Sequence, residues 1–246
     1  MKLLQLRKLH RWVALVVGAQ VLVWTASGLT FAWLDHHDVT GEALAAAPAP
    51  RPLPGGATVL DPGRLPIARS TPTVASLELR ELDDTWVYRI TTVDGQVSLL
   101  RARDGMPFPI DAPRAQRLAA SHYRGPGRLE HVRRQPAGTL ETRGLGPTWQ
   151  ATFDDDLDTR LYFSSDDGAL VAVRTDTWRL KDFFWMLHTM DYRGRDDFNN
   201  RLVVTAGAAA AWVGLTGIWL LLRVFRRRDD AGTDPLRTRR SSRAPP

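Results

Sequence analysis

The chain has 246 residues, of which 43% are hydrophobic and 24% charged, and it carries a net charge of +6. It contains no cysteine, which excludes disulfides, iron–sulfur clusters, thiolate metal sites and a cysteine nucleophile. These averages are typical of a soluble protein, but the apolar residues are concentrated in two stretches near the ends of the chain.

Both stretches are long enough to cross a bilayer. Residues 12–34 form a run of 23 without a charged side chain, and residues 202–222 form a run of 21. Because about 20 apolar residues span the hydrocarbon core, the sequence predicts two transmembrane helices. A signal peptide cleaved near residues 43–45 is the alternative for the first stretch, but the apolar core of such a peptide is only about 7–15 residues long.

Basic residues flank both predicted spans on the side away from the central region. They are Lys2, Arg7, Lys8 and Arg11 before the first span, and Arg223, Arg226, Arg227 and Arg228 after the second. The positive-inside rule therefore predicts cytoplasmic termini and a periplasmic central region. Since no basic patch with interleaved aromatic residues occurs in that region, we expect the lipid bilayer as a partner and no nucleic acid.

The central region begins with a linker and continues as strands. Residues 47–56, APAPRPLPGG, predict an extended linker rich in proline and glycine. From residue 74 onward apolar and polar residues alternate, and Asp94-Gly95 predicts a hairpin turn.

A helix is predicted after these strands. The run Asp111-Ala112-Pro113 is typical of a helix start and leads into a predicted helix over residues 114–122. Beyond it, residues 129–134 and 139–142 are predicted to pair as strands.

An internal repeat is visible in this region. Trp86 and Trp149 are 63 residues apart, and so are Asp104-Gly105 and Asp167-Gly168. At the same offset the aligned residues are Ile90 with Phe153, Leu99 with Tyr162, and Leu100 with Phe163. The pattern predicts two three-stranded units in one register, the second preceded by a helix and the first by proline-broken sequence.

The sequence ends with an amphipathic joint, the second span and a polar tail. In the joint, Phe184, Leu187 and His188 lie at helical spacing among other large apolar residues, and Asn199-Asn200 can cap the next helix. The predicted domains are a cytoplasmic lead and first span (1–35), a Pro/Ala-rich linker (36–56), a first, degenerate unit (57–112), a second unit (113–178), the joint (179–200), the second span (201–223) and a basic disordered tail (224–246).

Three features carry a resemblance to a family. They are LHRW at residues 9–12, the tryptophan-to-Asp-Gly strand units, and RLKDFFWMLHTMDYRGRDDFNN at residues 179–200. With them the chain resembles the membrane-anchored PepSY-domain proteins of bacteria. The resemblance implies a periplasmic α+β domain, built of PepSY-like helix-plus-antiparallel-strand units, between two transmembrane helices of the inner membrane.

The resemblance also implies candidate functions. Larger relatives resemble siderophore or ferric reductases, which carry haem between membrane helices through histidines. Other members are similar to protease-inhibitory propeptides or peptide-binding sensor modules. This chain has two spans rather than about four, and it lacks a recognisable flavin- or nicotinamide-binding domain.

Histidines are the candidate cofactor ligands. Neutral imidazole is a usual axial ligand of haem iron, and a histidine near a membrane helix is costly without a partner. The candidates are His10 and His188, with His36 and His37 as weaker ones. The structural alternatives are an interfacial histidine for His10, a buried hydrogen-bonded one for His188, and a solvated loop for His36 and His37.

Two further expectations concern the histidines. Because no second histidine occupies the cytoplasmic end of the last span, a bis-histidine site there requires a homodimer that contributes His10 twice. Small residues at Ala206, Ala210 and Gly214 form a helix face suited to such a dimer. His122 and His131 are expected on the surface.

Three functions remain open at this point. The first is haem-based electron relay in ferric or siderophore reduction, with a redox partner that supplies electrons. The second is a non-enzymatic module that binds peptides or restrains a partner protease. The third is an accessory subunit without a ligand of its own.

Overall fold

The computed structural model describes residues 3–49, 51–65 and 73–232, and the chain divides into two units. The first unit joins residues 1–30 to residues 185–246, and the second comprises Phe31–Phe184. The prediction of an apolar helix near each end of the chain, with an α+β region of antiparallel sheets between them, is therefore confirmed.

Two long helices dominate the first unit. They are α1 (Leu3–Trp33) and α5 (Arg201–Gly232). Within them, Leu4–Trp33 and Arg201–Arg226 each have a mean hydropathy of 1.7, and only 6% and 0% of their most apolar windows are buried in the chain. By length and composition both helices can cross a membrane, and most of their apolar side chains are not buried by the rest of the described chain.

A side chain caps the start of α5, as predicted. Asn200 Oδ1 accepts hydrogen bonds of 3.0 Å from the backbone N–H groups of Leu202 and Val203. These bonds satisfy donors that a helix otherwise leaves unpaired at its N-terminus.

The strands of the second unit form two antiparallel sheets. The first has the order β1-β2-β3, with β1 (Val74–Leu82), β2 (Thr85–Thr92) and β3 (Val97–Arg101). The second has the order β4-β5-β6-β7, with β4 (Leu129–Gln135), β5 (Thr148–Phe153), β6 (Arg160–Ser164) and β7 (Leu170–Arg174). The helices are α2 (His36–Thr40) before the sheets, α3 (Ala112–His122) between them and α4 (Asp176–Thr189) after them.

Both sheets and α3 share one hydrophobic core. Its buried members include Val87, Leu118, Leu161 and Phe163. A smaller cluster on the first sheet consists of Leu65, Tyr88, Ile90 and Ala102. Because side chains alternate along a strand, the neighbours Val87 and Tyr88 in β2 serve different cores, and the first sheet is covered on both faces.

Helix α3 begins where the sequence predicts. Asp111 Oδ1 accepts a hydrogen bond of 3.0 Å from the backbone N–H of Arg114, and Pro113 lies in the first turn. Its buried residues place α3 against the shared core.

The two sheets contain the same turn 63 residues apart. In the first, the backbone N–H of Gly105 donates to Arg101 O at 2.8 Å; in the second, that of Gly168 donates to Ser164 O at 2.9 Å. Both glycines have a positive φ, 72° and 70°, which glycine adopts without steric cost. The repeat therefore extends to individual hydrogen bonds at this turn.

One part of the predicted repeat alignment is wrong by two residues. Arg101 pairs with Val87, whereas Ser164 pairs with Thr148, so β2 corresponds to β5 at an offset of 61 rather than 63. The loop between β5 and β6 is two residues longer than the loop between β2 and β3. Trp149 consequently corresponds to Tyr88, not to Trp86. A shift of two keeps every side chain on the same face of the sheet, so the alternating pattern does not reveal it.

The predicted pairing of residues 129–134 with 139–142 is also wrong. Strand β4 pairs with β5, for example Val132 with Ala151. Residues 139–142 instead form a turn, in which the backbone N–H of Thr142 donates to Thr139 O at 3.0 Å.

The predicted linker over residues 36–56 starts as folded chain. The backbone N–H of Ala46 donates to His122 O, and that of Arg124 donates to Leu44 O, both at 2.9 Å. These bonds attach residues 44–46 to the end of α3, because a short β-bridge there satisfies backbone groups that an extended linker would leave to water.

The shared core predicts the effect of a truncation. Leu161 is fully buried, so Leu161→Ala should lower the free energy of unfolding by about 2–5 kcal/mol through lost burial and a residual cavity. Urea unfolding of the detergent-solubilised chain, followed by near-UV circular dichroism, measures the change. The matched control Leu140→Ala removes a side chain that is 48% exposed, and an equal loss in the control would contradict the assignment of the core.

Candidate functional site

His10 contacts α5 through a hydroxyl group. Its Nδ1 lies 2.7 Å from Thr216 Oγ1, which also donates to the backbone carbonyl of Trp212 at 2.7 Å. Next to Thr216 is Gly217, where an added Cβ would lie 3.5 Å from His10 Cε1. The imidazole therefore rests against α5 at a threonine–glycine pair.

His188 contacts α1 in the same way. Its Nδ1 lies 2.8 Å from Ser27 Oγ, which also donates to the backbone carbonyl of Val23 at 2.8 Å. The following residue is Gly28, whose added Cβ would lie 4.0 Å from His188 Cε1. We call each such arrangement, an imidazole on a hydroxyl residue followed by glycine, a histidine seat.

The second hydrogen bond of each hydroxyl fixes the imidazole tautomer. Two oxygens 2.7–2.8 Å apart need a hydrogen between them, and the carbonyl has none to give, so the hydroxyl hydrogen of Ser27 or Thr216 points at its own helix. The hydroxyl oxygen then accepts from Nδ1–H. In the neutral form of such a ring the lone pair is on Nε2, which is the form in which histidine binds metals.

The two histidine seats lie at different heights on α1. His10 and Ser27 are 17 residues apart in the same helix, which corresponds to about 25 Å along its axis. Because both axial ligands contact one iron, His10 and His188 of a single chain cannot bind the same haem. Two separate sites, one near each end of the span, are the arrangement that the geometry allows.

Side chains donate hydrogen bonds to the last backbone carbonyls of α4, beside the His188 ring. Trp24 Nε1 donates to His188 O at 2.9 Å, and Asn200 Nδ2 donates to Thr189 O at 2.8 Å. These bonds satisfy carbonyls that a helix C-terminus leaves unpaired. His188 is therefore held by its backbone as well as by its ring.

His36 and His37 belong to the second unit and lie in an exposed helix turn. Their ring centroids are 6.2 Å apart, and His37 Nδ1 lies 3.1 Å from Glu42 Oε2. Over residues 3–49, 51–65 and 73–232, no group of three His, Cys, Asp or Glu side chains is arranged to hold a metal ion.

The expectation that His122 lies on the surface is wrong. Its Nδ1 lies 2.8 Å from Leu118 O, its ring packs edge-on against Phe163, and burial lowers its pKa below the usual value. The short side chains around α3 leave room for the ring in the shared core. His131 is exposed on β4, as expected.

No protein-family model, curated protein or solved structure matches the chain. Membership of the PepSY family therefore remains a proposal.

A half-buried acid of the second unit, Glu141, is not predicted by any pattern in the sequence. Glu141 accepts hydrogen bonds from Arg160 at 2.9 Å, Arg179 at 3.0 Å and the Tyr162 hydroxyl at 2.5 Å. Burial alone would raise the pKa of Glu141, but these donors hold it below its usual value. Its partners come from β6 and α4, so no local pattern could have singled it out.

A second unexpected acid, Asp191, shapes the loop between α4 and α5. Its carboxylate accepts hydrogen bonds of 3.0–3.2 Å from the backbone N–H groups of four residues, namely Arg193, Gly194, Asp196 and Asp197. These bonds, the one from Asp197 foremost, lower the pKa of Asp191 to about 2. An Asp followed by a Gly-containing polar run is a local signal for such a turn, but the sequence analysis assigned this segment only to a loop.

The low pKa of Asp191 predicts a specific acid sensitivity. In an unfolded chain its pKa is about 3.9, so the carboxylate stabilises the loop fully above that pH, and the stabilisation is lost as pH falls from about 4 to about 2. Hydrogen exchange of residues 193–197 at pH 6, 4 and 2.5 should show faster opening only at the lower values.

Asp191→Asn isolates this effect. Its amide nitrogen cannot accept from Asp196 and Asp197, so we expect faster exchange of these two N–H groups already at pH 6 and little further change on acidification. Asp166→Asn, at an exposed turn of the second unit, is the control. Unchanged exchange in Asp191→Asn would show that the carboxylate does not order the loop.

Proposed function

We propose that this chain is a PepSY-type haem protein of the bacterial inner membrane, which relays electrons across the bilayer in ferric or siderophore reduction. The observation that carries the proposal is the pair of histidine seats. Each holds an imidazole by its Nδ1, so that Nε2 is the nitrogen available to a ligand, at two heights of an otherwise apolar helix pair.

The ligand chemistry supports haem over a compact metal site. Bis-imidazole ligation favours electron transfer over reaction with bound oxygen, and haem supplies a one-electron couple at each height. The chain itself orients each ring by the Nδ1 hydrogen bond, and it makes room beside each ring with a glycine, Gly28 or Gly217. Such second hydrogen bonds raise the basicity of a histidine ligand.

A second copy of the chain would complete each site. In each chain His10 lies near one end of α1 and Ser27, the partner of His188, lies near the other. A homodimer would therefore supply two His10 imidazoles at one end and two His188 imidazoles at the other. Small residues are available for the helix contact, because added Cβ atoms at Gly18, Gly207 and Gly214 would meet nothing within 4 Å. The four helices of such a dimer would enclose both sites.

The charge distribution supports the direction of transfer. By the positive-inside rule the His10 site faces the cytoplasm and the His188 site faces the periplasm. An electron would enter near His10 from a cytoplasmic-side partner and leave near His188. The α+β unit would then lie on the side where the ferric substrate arrives.

A second candidate function is peptide binding by the α+β unit. Strand β1 is an edge of the first sheet, and the first five of its residues are exposed. Edge strands can accept an extended peptide by strand addition. In this reading the histidines are structural, and the chain binds a periplasmic peptide or restrains a protease.

Absorbance spectroscopy tests the first function. Full-length protein expressed with ample haem and purified in mild detergent should show Soret and α bands in the reduced-minus-oxidised spectrum. His10→Ala and His188→Ala should each remove about half of the signal, because each removes one of two sites. Size-exclusion chromatography with light scattering should show a dimer.

The matched control is His131→Ala, which replaces an exposed histidine of the second unit. Its spectrum should equal that of the wild type. A protein without a chromophore, or with a signal that survives both ligand substitutions, would contradict the haem proposal. Peptide binding that is lost when Leu77 in β1 is replaced by proline would then support the second candidate.

The Thr216 hydroxyl should affect the reduction potential of the haem at His10 but should not be required for haem binding. Thr216→Val removes the acceptor of the His10 Nδ1–H, so His10 becomes a weaker donor to iron, and the reduction potential should rise by on the order of 60 mV while haem content is retained. Redox titration measures this shift. Thr205→Val is the control, since the Thr205 hydroxyl bonds only Arg201 O on its own helix, and an equal shift in both variants would rule out the specific hydrogen bond.

A further inference from the structure

A cavity of about 530 Å³ opens on the second unit, and its lining includes no residue of the histidine seats. Its lining is Phe31, Leu34, His36, Val39, Thr40, residues 170–174, Trp178 and Lys181, all within Phe31–Phe184. The volume lies in the range of about 300–1,000 Å³ that is typical of ligand pockets. The lining contains basic, aromatic and aliphatic side chains and no acidic one.

Arg174 gives the cavity a fixed positive charge. Its guanidinium donates to Glu141 O at 2.8 Å and to Val173 O at 2.9 Å, and it lies 4.3 Å from the centre of the Trp178 ring. Among the residues that the structure describes, no carboxylate lies within 4.0 Å of it. Burial lowers the pKa of Arg174, but an arginine remains charged at neutral pH.

Lys181 adds to this charge. Lys181 lies on α4 one turn beyond Trp178, and the cavity lining also includes His36, the first residue of α2. Arginine and lysine together suit a phosphate group, to which they offer charge-assisted hydrogen bonds. The cavity thus matches a singly charged phosphate better than a neutral ligand.

The apolar wall of the cavity continues the first candidate span. Phe31 belongs to the last turn of Leu4–Trp33, and Leu34 follows directly. A side chain at the end of a transmembrane helix lies at the depth of the lipid headgroups. An occupant with an apolar chain attached to its charged group would therefore contact both kinds of wall.

The wall formed by α2 is preformed. Gly41 ends α2 with a φ of 67°, and a Cβ there would come within 2.7 Å of Val173 Cγ1. Only glycine permits this approach of α2 to β7. Val39 and Thr40, which precede Gly41 in α2, are both part of the cavity lining.

We infer that this cavity binds the phosphate headgroup of an anionic phospholipid from the outer leaflet. The phosphate contacts Arg174 and Lys181, and the upper part of one acyl chain lies against Phe31 and Leu34. An acidic peptide would also satisfy the charges, but it carries no long alkyl chain attached to its charged group that could follow an apolar wall into a membrane span.

Lipid binding by the full-length protein in mild detergent tests the inference. Native mass spectrometry with added phosphatidylglycerol or phosphatidylcholine should show one phosphatidylglycerol bound per chain with a clear preference over phosphatidylcholine. Lys181→Gln should weaken that binding about tenfold, and Lys181→Arg should largely retain it. The matched control Arg134→Gln removes an exposed charge of the same unit outside the cavity and should leave binding unchanged.

A second variant separates the cavity from its charge. Val171→Phe adds volume at a partly exposed wall position without changing any charged group, so it should also weaken phosphatidylglycerol binding. Thermal unfolding of each variant in detergent confirms that it is folded. Haem content should be unaffected, because neither histidine seat includes these residues.

Four outcomes would overturn the inference. The first is equal binding of both lipids, and the second is an equal loss of phosphatidylglycerol binding in Arg134→Gln and Lys181→Gln. The third is binding of glycerophosphoglycerol or inorganic phosphate as tight as that of the whole lipid. The fourth is binding of an acidic peptide that depends on Lys181 and is tighter than the binding of phosphatidylglycerol. Each would assign the cavity to general charge attraction, a free anion or a peptide instead of a lipid.

Discussion

The first unit depends on one requirement, that polar atoms inside an apolar helix pair must find partners. Serine and threonine meet it by bonding the carbonyl one turn back in their own helix, and this leaves their oxygen lone pairs directed outward. An imidazole that donates to such an oxygen is satisfied without a charge. Ser27 and Thr216 thus allow His188 and His10 to be placed among apolar side chains, where an unpartnered histidine would be costly.

In the second unit, ion pairs satisfy the partly buried charged groups, as the hydroxyl groups satisfy the histidines in the first unit. Glu141 collects guanidinium groups from β6 and α4, and Asp182 pairs with Arg143, so the arginines at the end of the second sheet are largely neutralised in place. Arg174 differs from them because backbone carbonyls and Trp178 surround it. The same cluster that ties α4 to the sheet therefore leaves one positive charge directed to the cavity.

Hydropathy, alternation and capping signals predicted what depends on neighbouring residues, namely both long helices, the strands of the two sheets, α3 and the cap at Asn200. These signals failed where contacts with residues distant in the sequence determine the local structure. The turn that carries Glu141 looked like a strand, and His122 looked exposed although α3 buries it. That His10 and His188 are cofactor ligands stays a prediction. Their hydrogen-bond partners Ser27 and Thr216 were not predicted, because each partner lies more than 160 residues away in the sequence.

The two histidine seats also have a mechanical consequence. Each joins a ring on one helix to a hydroxyl on another, and a displacement by one residue, about 1.5 Å, would break it. Since α1 is held near both of its ends, sliding along its axis would break both of these hydrogen bonds, and swinging about one contact would break the other. A molecule built in this way is poorly suited to passing a signal through the membrane by helix movement, and well suited to keeping two positions at a constant separation.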